Sequence, residues 1–207
     1  MRTVNKYPEK RADTSVPVHQ LIAARWSPRA LDHRHELRDR QLRSLLEAAR
    51  WAPSFGNTQP ARYMVGRRGD ETYQCILATL TERNSAWARR ASALLLAVAV
   101  TRNEKDDIPL AEYGVGLATE NLALQAVADG LAAHQMAGFD ADVARREFDL
   151  PQHARPIVAI AVGARTDAEI LSTPRDIRRE QAPRNRHELA EIAFAGSWGT
   201  PAFRNSH

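Results

Sequence analysis

One cysteine, Cys75, stands in the whole sequence. No disulfide can close within the chain and no cysteine-built zinc site is available, which fits a reducing compartment. Nor is there an apolar run near the roughly 20 residues that a membrane helix needs; the longest, Leu94 to Val100, has the length of a buried strand. The N-terminal stretch MRTVNKYPEKRADTS is basic, with no apolar run behind it, so it does not read as a secretory signal. These absences lead to the expectation of a soluble, cytoplasmic protein with no membrane partner. A strong charge bias is missing too. The 29 Lys and Arg against 25 Asp and Glu leave a net charge of +4, and no basic run is interleaved with aromatics, so no nucleic-acid partner is expected.

Several motifs are also wanting. There is no G-x-S-x-G, which leaves a serine hydrolase without its nucleophile turn. The run from Gly114 to Thr119 lacks the third glycine of a dinucleotide fingerprint, and no strand precedes it. His33 and His35 stand two apart with no acidic or sulfur ligands around them; on a helix they would point to different faces, so they read as solvated and no metal is expected. Arg68-Gly69-Asp70 reads as a turn.

What is present is the composition of an ordinary globular chain, 43% apolar and 26% charged over 207 residues, enough for one domain. Residues 1–16 are polar and without period, and read as a flexible arm; residues 17–207 read as a single domain. Val18, Leu21 and Ile22 suggest a first helix. Asp39 followed by Leu42, Leu45, Leu46 and Ala49 gives the stripe of a second, which Pro53 ends. A loop rich in Gly, Asn and Pro then leads to a strand at Arg62 to Val65. A helix over Glu71 to Arg83, a strand over Leu94 to Val100 covered on both faces, a long central helix from Ala111 to Ala133, a short helix near Asp140 to Phe148 and a strand over Pro156 to Gly163 follow. Helices outnumber strands and do not alternate with them regularly, which predicts an α+β fold with a central mixed β-sheet flanked by helices. Two local cation pairs, Arg25 with Arg29 and Arg184 with Arg186, suit one or two phosphate charges.

Four segments, in order, carry chemistry. RWSPRALD (Arg25 to Asp32) sets two guanidinium groups around a serine hydroxyl; on one face of a helical turn such a set suits an anionic planar ligand. EAARWAPSFGNTQPARYMVG (Glu47 to Gly66) has a loop stiffened by Pro53 and Pro60, in which Ser54, Asn57 and Gln59 offer groups that can read a heterocycle edge. GVGLATENLALQAVADGL (Gly114 to Leu131) is apolar nearly all round and leads into HQMAGFD (His134 to Asp140). LPQHARPIVAIAVG (Leu150 to Gly163) is followed by PRNRHELAEIAF (Pro183 to Phe194), which holds Arg184 and Arg186.

Together these segments resemble the nitroreductase family, over about Pro17 to Phe203. The resemblance implies a dimeric nitroreductase-like fold with FMN held between two subunits. It places Arg25, Trp26, Ser27 and Arg29 at the ribityl phosphate and the N1/O2 side of the flavin ring, and Arg184 and Arg186 on the phosphate. Pro53, Ser54, Asn57 and Gln59 belong to the cofactor loop, Ser54 and Asn57 arriving from the partner subunit. Met136, Ala137 and Gly138 pass near flavin N5. No side chain is assigned as acid or base. Ala137 stands where some members have Glu, so a donor at N5 would come from backbone N–H groups near Ala137 and Gly138. Ala61 stands where the family pattern has tryptophan. The implied activity is ping-pong reduction of nitroaromatic or quinone-type acceptors by NADH or NADPH. Two alternatives stay open: a flavin-dependent dehydrogenase acting on a specific metabolite, and a non-catalytic flavin-binding protein of the same fold.

Overall fold

The apolar run at Leu94 to Val100 becomes the most deeply buried strand, β2 (Ala93–Val100). Its side chains alternate between two cores, Leu95, Ala97 and Ala99 on one face and Leu94, Leu96 and Val98 on the other, which is the period of two that a pleated strand imposes. Because both faces are covered, the strand has no polar positions. The computed structural model describes residues 10–203. β2 pairs with β1 (Ala61–Arg67) on one side and β4 (Ala154–Gly163) on the other, and β3 (Ala132–Met136) pairs with the far edge of β4.

All three pairings are antiparallel, which corrects the mixed sheet expected from the sequence. The α5 helix (Ala111–Ala128) returns the chain so that β3 runs parallel to β2. β4 then enters between them and pairs with both, so no parallel neighbours remain. The β2–β4 register shifts between Ala97 and Val98, leaving Ile157 without a partner beside Pro156; a proline with no N–H to donate is tolerated at such a bulge.

Helices α2 (Asp39–Arg50) and α5 cover one face of the sheet. On the other lie α3 (Glu71–Thr79), α4 (Glu82–Ala88) and α6 (Ala141–Glu147). The α2 stripe is as expected, with Leu42, Leu45 and Ala49 buried. Burying each leucine of these cores contributes roughly 1.5–3 kcal/mol relative to leaving it in water. α1 (Gln20–Ala24), α7 (Pro174–Gln181) and α8 (Leu189–Ile192) lie at the periphery.

Two helices differ from expectation. The single helix expected over Glu71 to Arg83 breaks at Leu80, where the chain turns extended and Leu80 bridges Phe139; Thr81 N–H donates to the Gly138 carbonyl at 3.1 Å. The helix expected to reach Ala133 stops at Ala128 because Gly130 takes a positive φ of 72°, the usual left-handed exit from a helix. The residues beyond it form β3, where a helix end and a loop are expected from the sequence.

Of the expected N-terminal arm, residues 1–9 lie outside the described residues. Its remaining part is docked: Ala12 N–H donates to the Ala23 carbonyl at 2.8 Å and Lys10 Nζ to the Glu180 carbonyl at 2.7 Å. No helix among the described residues is long and apolar enough to cross a membrane.

Candidate functional site

Residues 25–28 follow the last turn of α1 and are not helical, so the face-sharing helical turn expected for Arg25 and Arg29 does not form. The segment is instead held by side chains from distant elements. Arg25 Nε meets Glu120 Oε1, on α5, at 3.1 Å. Arg29 N–H is shared between the two carboxylate oxygens of Glu180 at 3.0 Å each, and Ala30 N–H donates to Glu180 Oε1 at 3.0 Å. The Arg29 guanidinium makes no hydrogen bond or ion pair among the described residues. Trp26 is half-buried; its indole N–H has no partner among the described residues, and Lys10 Nζ sits 4.4 Å from its ring centroid. It borders two clefts of about 260 and 190 Å³, sharing both with Arg165.

The C-terminal cations come to the same place. Arg184 Nη1 donates to the carbonyls of Lys10, at 3.0 Å, and Ala23, at 2.7 Å. Burial pushes the Arg184 guanidinium below its ordinary value, and the nearby charges of Arg25 and Arg186 push the same way. Lys10 is lowered by burial as well, an effect that Glu180 opposes and Arg184 and Arg29 reinforce. Arg186 is exposed and, among the described residues, bonds only to the neighbouring Asn185 carbonyl, at 2.7 Å. Lys10, Arg25, Arg29, Arg184 and Arg186 therefore form a cluster of like charges with two carboxylates, Glu120 and Glu180, set against it.

The loop between α2 and β1 is strained. Gly56, Asn57 and Gln59 all have positive φ, of 52°, 56° and 49°, and for a residue such as glutamine that conformation costs on the order of 1 kcal/mol. Ser54 Oγ accepts from Gln59 N–H at 2.9 Å, fixing the turn. Asn57, Gln59 and Pro53 are exposed and Ser54 half-buried. The loop packs on the start of α5, where a Cβ on Gly114 would lie 2.8 Å from Pro60 Cγ. Arg25 meets α5 further along, at Glu120, so within one chain the loop and the cation cluster occupy different stretches of the same helix. Around the loop Trp51, Phe55, Leu110 and Tyr113 are all more than half exposed.

After β3 the chain is gripped at Gly138, whose carbonyl accepts from Thr81 N–H at 3.1 Å and from Asn84 Nδ2 at 3.0 Å. A Cβ there would stand 2.7 Å from Asn84 Nδ2, so a larger residue would push aside the Asn84 side chain that holds this carbonyl. Ala137 is exposed. Met136 is instead a core residue, 2% exposed, and its side chain does not reach the surface of the loop.

His134, on β3, is the buried histidine of the fold. Its Nδ1–H donates to the Pro28 carbonyl at 2.9 Å and its ring lies 4.5 Å from that of Trp87. Burial pulls its pKa down to about 4; the bond to Pro28 opposes this in part and the Arg29 charge adds to it. The folded chain thus binds fewer protons than the unfolded one between its ordinary value of 6.5 and about 4, and the stability present above that window is lost as pH falls through it. The thermal midpoint is expected to drop from pH 6.5 to 4, and to drop less in a His134→Gln variant. Parallel midpoint curves for parent and variant would show that His134 is not the proton acceptor.

Glu180, Glu120 and Lys10 were not singled out from the sequence. Ile177 and Glu180 share the inner face of α7, one helical turn apart, the one signal that could have marked Glu180. Lys10 lies in a stretch with no period and offers none. Among the described residues no group of three His, Cys, Asp or Glu could hold a metal ion.

A family model described as the nitroreductase family matches residues 22–82 and 67–164. An uncharacterised 15.4 kDa protein of Mycolicibacterium smegmatis is 37% identical over 151 residues, covering 68% of this chain and 99% of its own length. Among solved structures, one described as an oxidoreductase containing FMN is 32% identical with a TM-score of 0.85, covering 93% of this chain and 98% of its own. A Desulfovibrio desulfuricans protein, described as a candidate nitroreductase in complex with FMN, is 26% identical with a TM-score of 0.68, over 89% of this chain and 99% of its own. A Clostridium difficile nitroreductase-family protein is likewise 26% identical, with a TM-score of 0.64, over 84% of this chain and 94% of its own.

Proposed function

The chain belongs to the nitroreductase family and is an FMN-dependent oxidoreductase; from that premise we propose that it reduces nitroaromatic or quinone-type acceptors with NADH or NADPH by a ping-pong route, as a homodimer. The observation that carries this reading is the cation cluster. Lys10, Arg25, Arg29, Arg184 and Arg186 repel one another in a partly buried place, and a phosphate dianion relieves that repulsion as no neutral ligand does. The cluster thus fits FMN by its charge.

Arg184, Arg186 and Lys10 would hold the phosphate, and Arg25 would turn to it from Glu120. Arg29, with its unoccupied guanidinium, would face the N1/O2 side of the ring. Ser54 and Asn57 would come from the partner subunit; the exposed Trp51, Phe55, Leu110 and Tyr113 around their loop are the apolar surface that such a partner would cover. The backbone N–H groups of Ala137 and Gly138, which donate to no backbone carbonyl among the described residues, would stand at N5. When bound, FMN supplies the hydride chemistry, and this chain supplies position and charge.

The purified protein is expected to be yellow, to release FMN on denaturation, and to bleach anaerobically with NADH or NADPH and recover its colour on adding a quinone or nitroaromatic compound. A folded, colourless protein that cannot be reconstituted with FMN would end the cofactor assignment. Bound FMN that neither nicotinamide bleaches would leave the cofactor standing and remove the proposed reductant.

A further inference from the structure

Among the described residues five polar or charged side chains are buried: Thr79, Ser92, Thr119, His134 and Glu180. Two of these, on elements far apart in sequence, are both directed at three consecutive residues of one loop. His134 Nδ1–H donates to the Pro28 carbonyl, and the Glu180 carboxylate accepts from the N–H groups of Arg29 and Ala30. A carboxylate 6% exposed is costly to bury unless its oxygens are satisfied, and here the backbone amides of Arg29 and Ala30 do so. Glu180 also lies in the last turn of α7, the helix that leads towards Arg184, and its own carbonyl accepts from Lys10 Nζ.

We infer that Glu180 is the positioning residue of the cofactor site: its carboxylate fixes the Arg29 backbone, and with it the Arg29 guanidinium, while joining the C-terminal segment that bears Arg184 to the N-terminal loop. The inference rests on the assignment of Arg29 and Arg184 to the flavin. Its opposite is a purely electrostatic Glu180, a negative charge beside the cation cluster. The two roles differ in sign. Removing a negative charge alone tightens an anionic ligand and raises the potential of a ring that becomes negative on reduction. Displacing Arg29 and Arg184 weakens that ligand and lowers the potential.

Glu180→Asp keeps the charge and withdraws it by one methylene; Glu180→Gln keeps the length and removes the charge. Three quantities test the inference in the full chain: amide hydrogen exchange at Arg29 and Ala30 without FMN, the dissociation constant of FMN, and the two-electron potential at saturating FMN. Faster exchange at both amides is expected in both variants, with FMN binding weakened about tenfold or more and a lower potential. Arg184→Ala is expected to weaken FMN less in the Glu180→Asp background than in the parent, since coupled groups are not additive. Tighter binding and a raised potential in Glu180→Gln, with Glu180→Asp unchanged, would overturn the inference in favour of charge alone. Faster exchange with an unmoved flavin would overturn it too. In that last case Arg29→Ala tells where the fault lies: a flavin that ignores this substitution as well means that the assignment of Arg29 has failed, whereas one that responds to it means that Glu180 does not act through Arg29.

Discussion

Replacing Gly66 by alanine is expected to destabilise the fold by about 3 kcal/mol or more, at the top of the range for overpacking. The glycine lies in β1 where α3 begins, and a Cβ on it would stand 2.3 Å from Tyr73 N and 2.4 Å from Tyr73 Cα. Those are backbone atoms, and no rotamer relieves the clash. α3 cannot readily retreat. The Asp70 carboxylate caps it by accepting from Tyr73 N–H at 2.7 Å while accepting from Arg67 N–H at 2.8 Å, and the Tyr73 hydroxyl, fully buried, lies 3.2 and 3.1 Å from the Ala88 and Ala91 carbonyls. For a chain of this size each kcal/mol moves the thermal midpoint by roughly 2–4 °C, so a fall of about 6–12 °C is expected by calorimetry. A midpoint within a degree of the parent would mean that strand and helix do not approach so closely.

The close approach at Gly66 belongs to the part of the fold that the sequence does not make legible, because it depends on two elements meeting. What is legible is whatever one element decides alone. The α2 stripe reads correctly since Leu42, Leu45 and Ala49 face one core, and β2 reads correctly since a strand covered on both faces has no polar positions to interrupt it. β3 does not read. Ala132 and Ala133 continue the apolar pattern of α5 without a break, and the stop signal is a single residue, Gly130, whose positive φ separates helix from strand. The direction of the sheet is hidden for another reason: it depends on β4 entering between β2 and β3, which no local pattern encodes.

The candidate site divides in the same way. Ser54, Asn57, Gln59 and the arginines stand out because their side chains are polar and clustered in loops. What holds them does not stand out. Glu180 serves backbone amides 151 and 150 residues away, and an acid between arginines on an exposed-looking helix reads as a solvated charge. Glu120 is equally hidden in α5 until its pairing with Arg25 is seen. Met136 differs from its neighbours Ala137 and Gly138 for a reason local sequence does not show: the alternation of a strand turns its side chain into the core.

That division bears on which arginine governs the chemistry. Arg25 is occupied by Glu120 and Arg184 by the carbonyls of Lys10 and Ala23, whereas the Arg29 guanidinium has no partner among the described residues and its backbone is fixed from below by Glu180. An Arg29→Ala variant is therefore expected to retain FMN, because on the proposed assignment the phosphate would still meet Arg25, Arg184, Arg186 and Lys10, but to accept hydride more slowly and to show a lower flavin potential. A charge-assisted hydrogen bond to the reduced ring is worth roughly 1.5–3 kcal/mol, which is about tenfold to a hundredfold in rate if it is expressed fully in the transition state. Arg184→Ala is the contrast. It removes a phosphate partner and unties the N-terminal segment at Lys10, so it should weaken FMN binding and leave the potential of the flavin that does bind nearly unchanged. Stopped-flow reduction by NADH or NADPH, with the potential measured on the same samples, separates the two variants. Should the Arg29 variant be reduced as fast as the parent while losing its FMN, Arg29 would belong to the phosphate, and the positive charge at N1/O2 would have to come from the second subunit of the proposed dimer or from Arg25 released by Glu120.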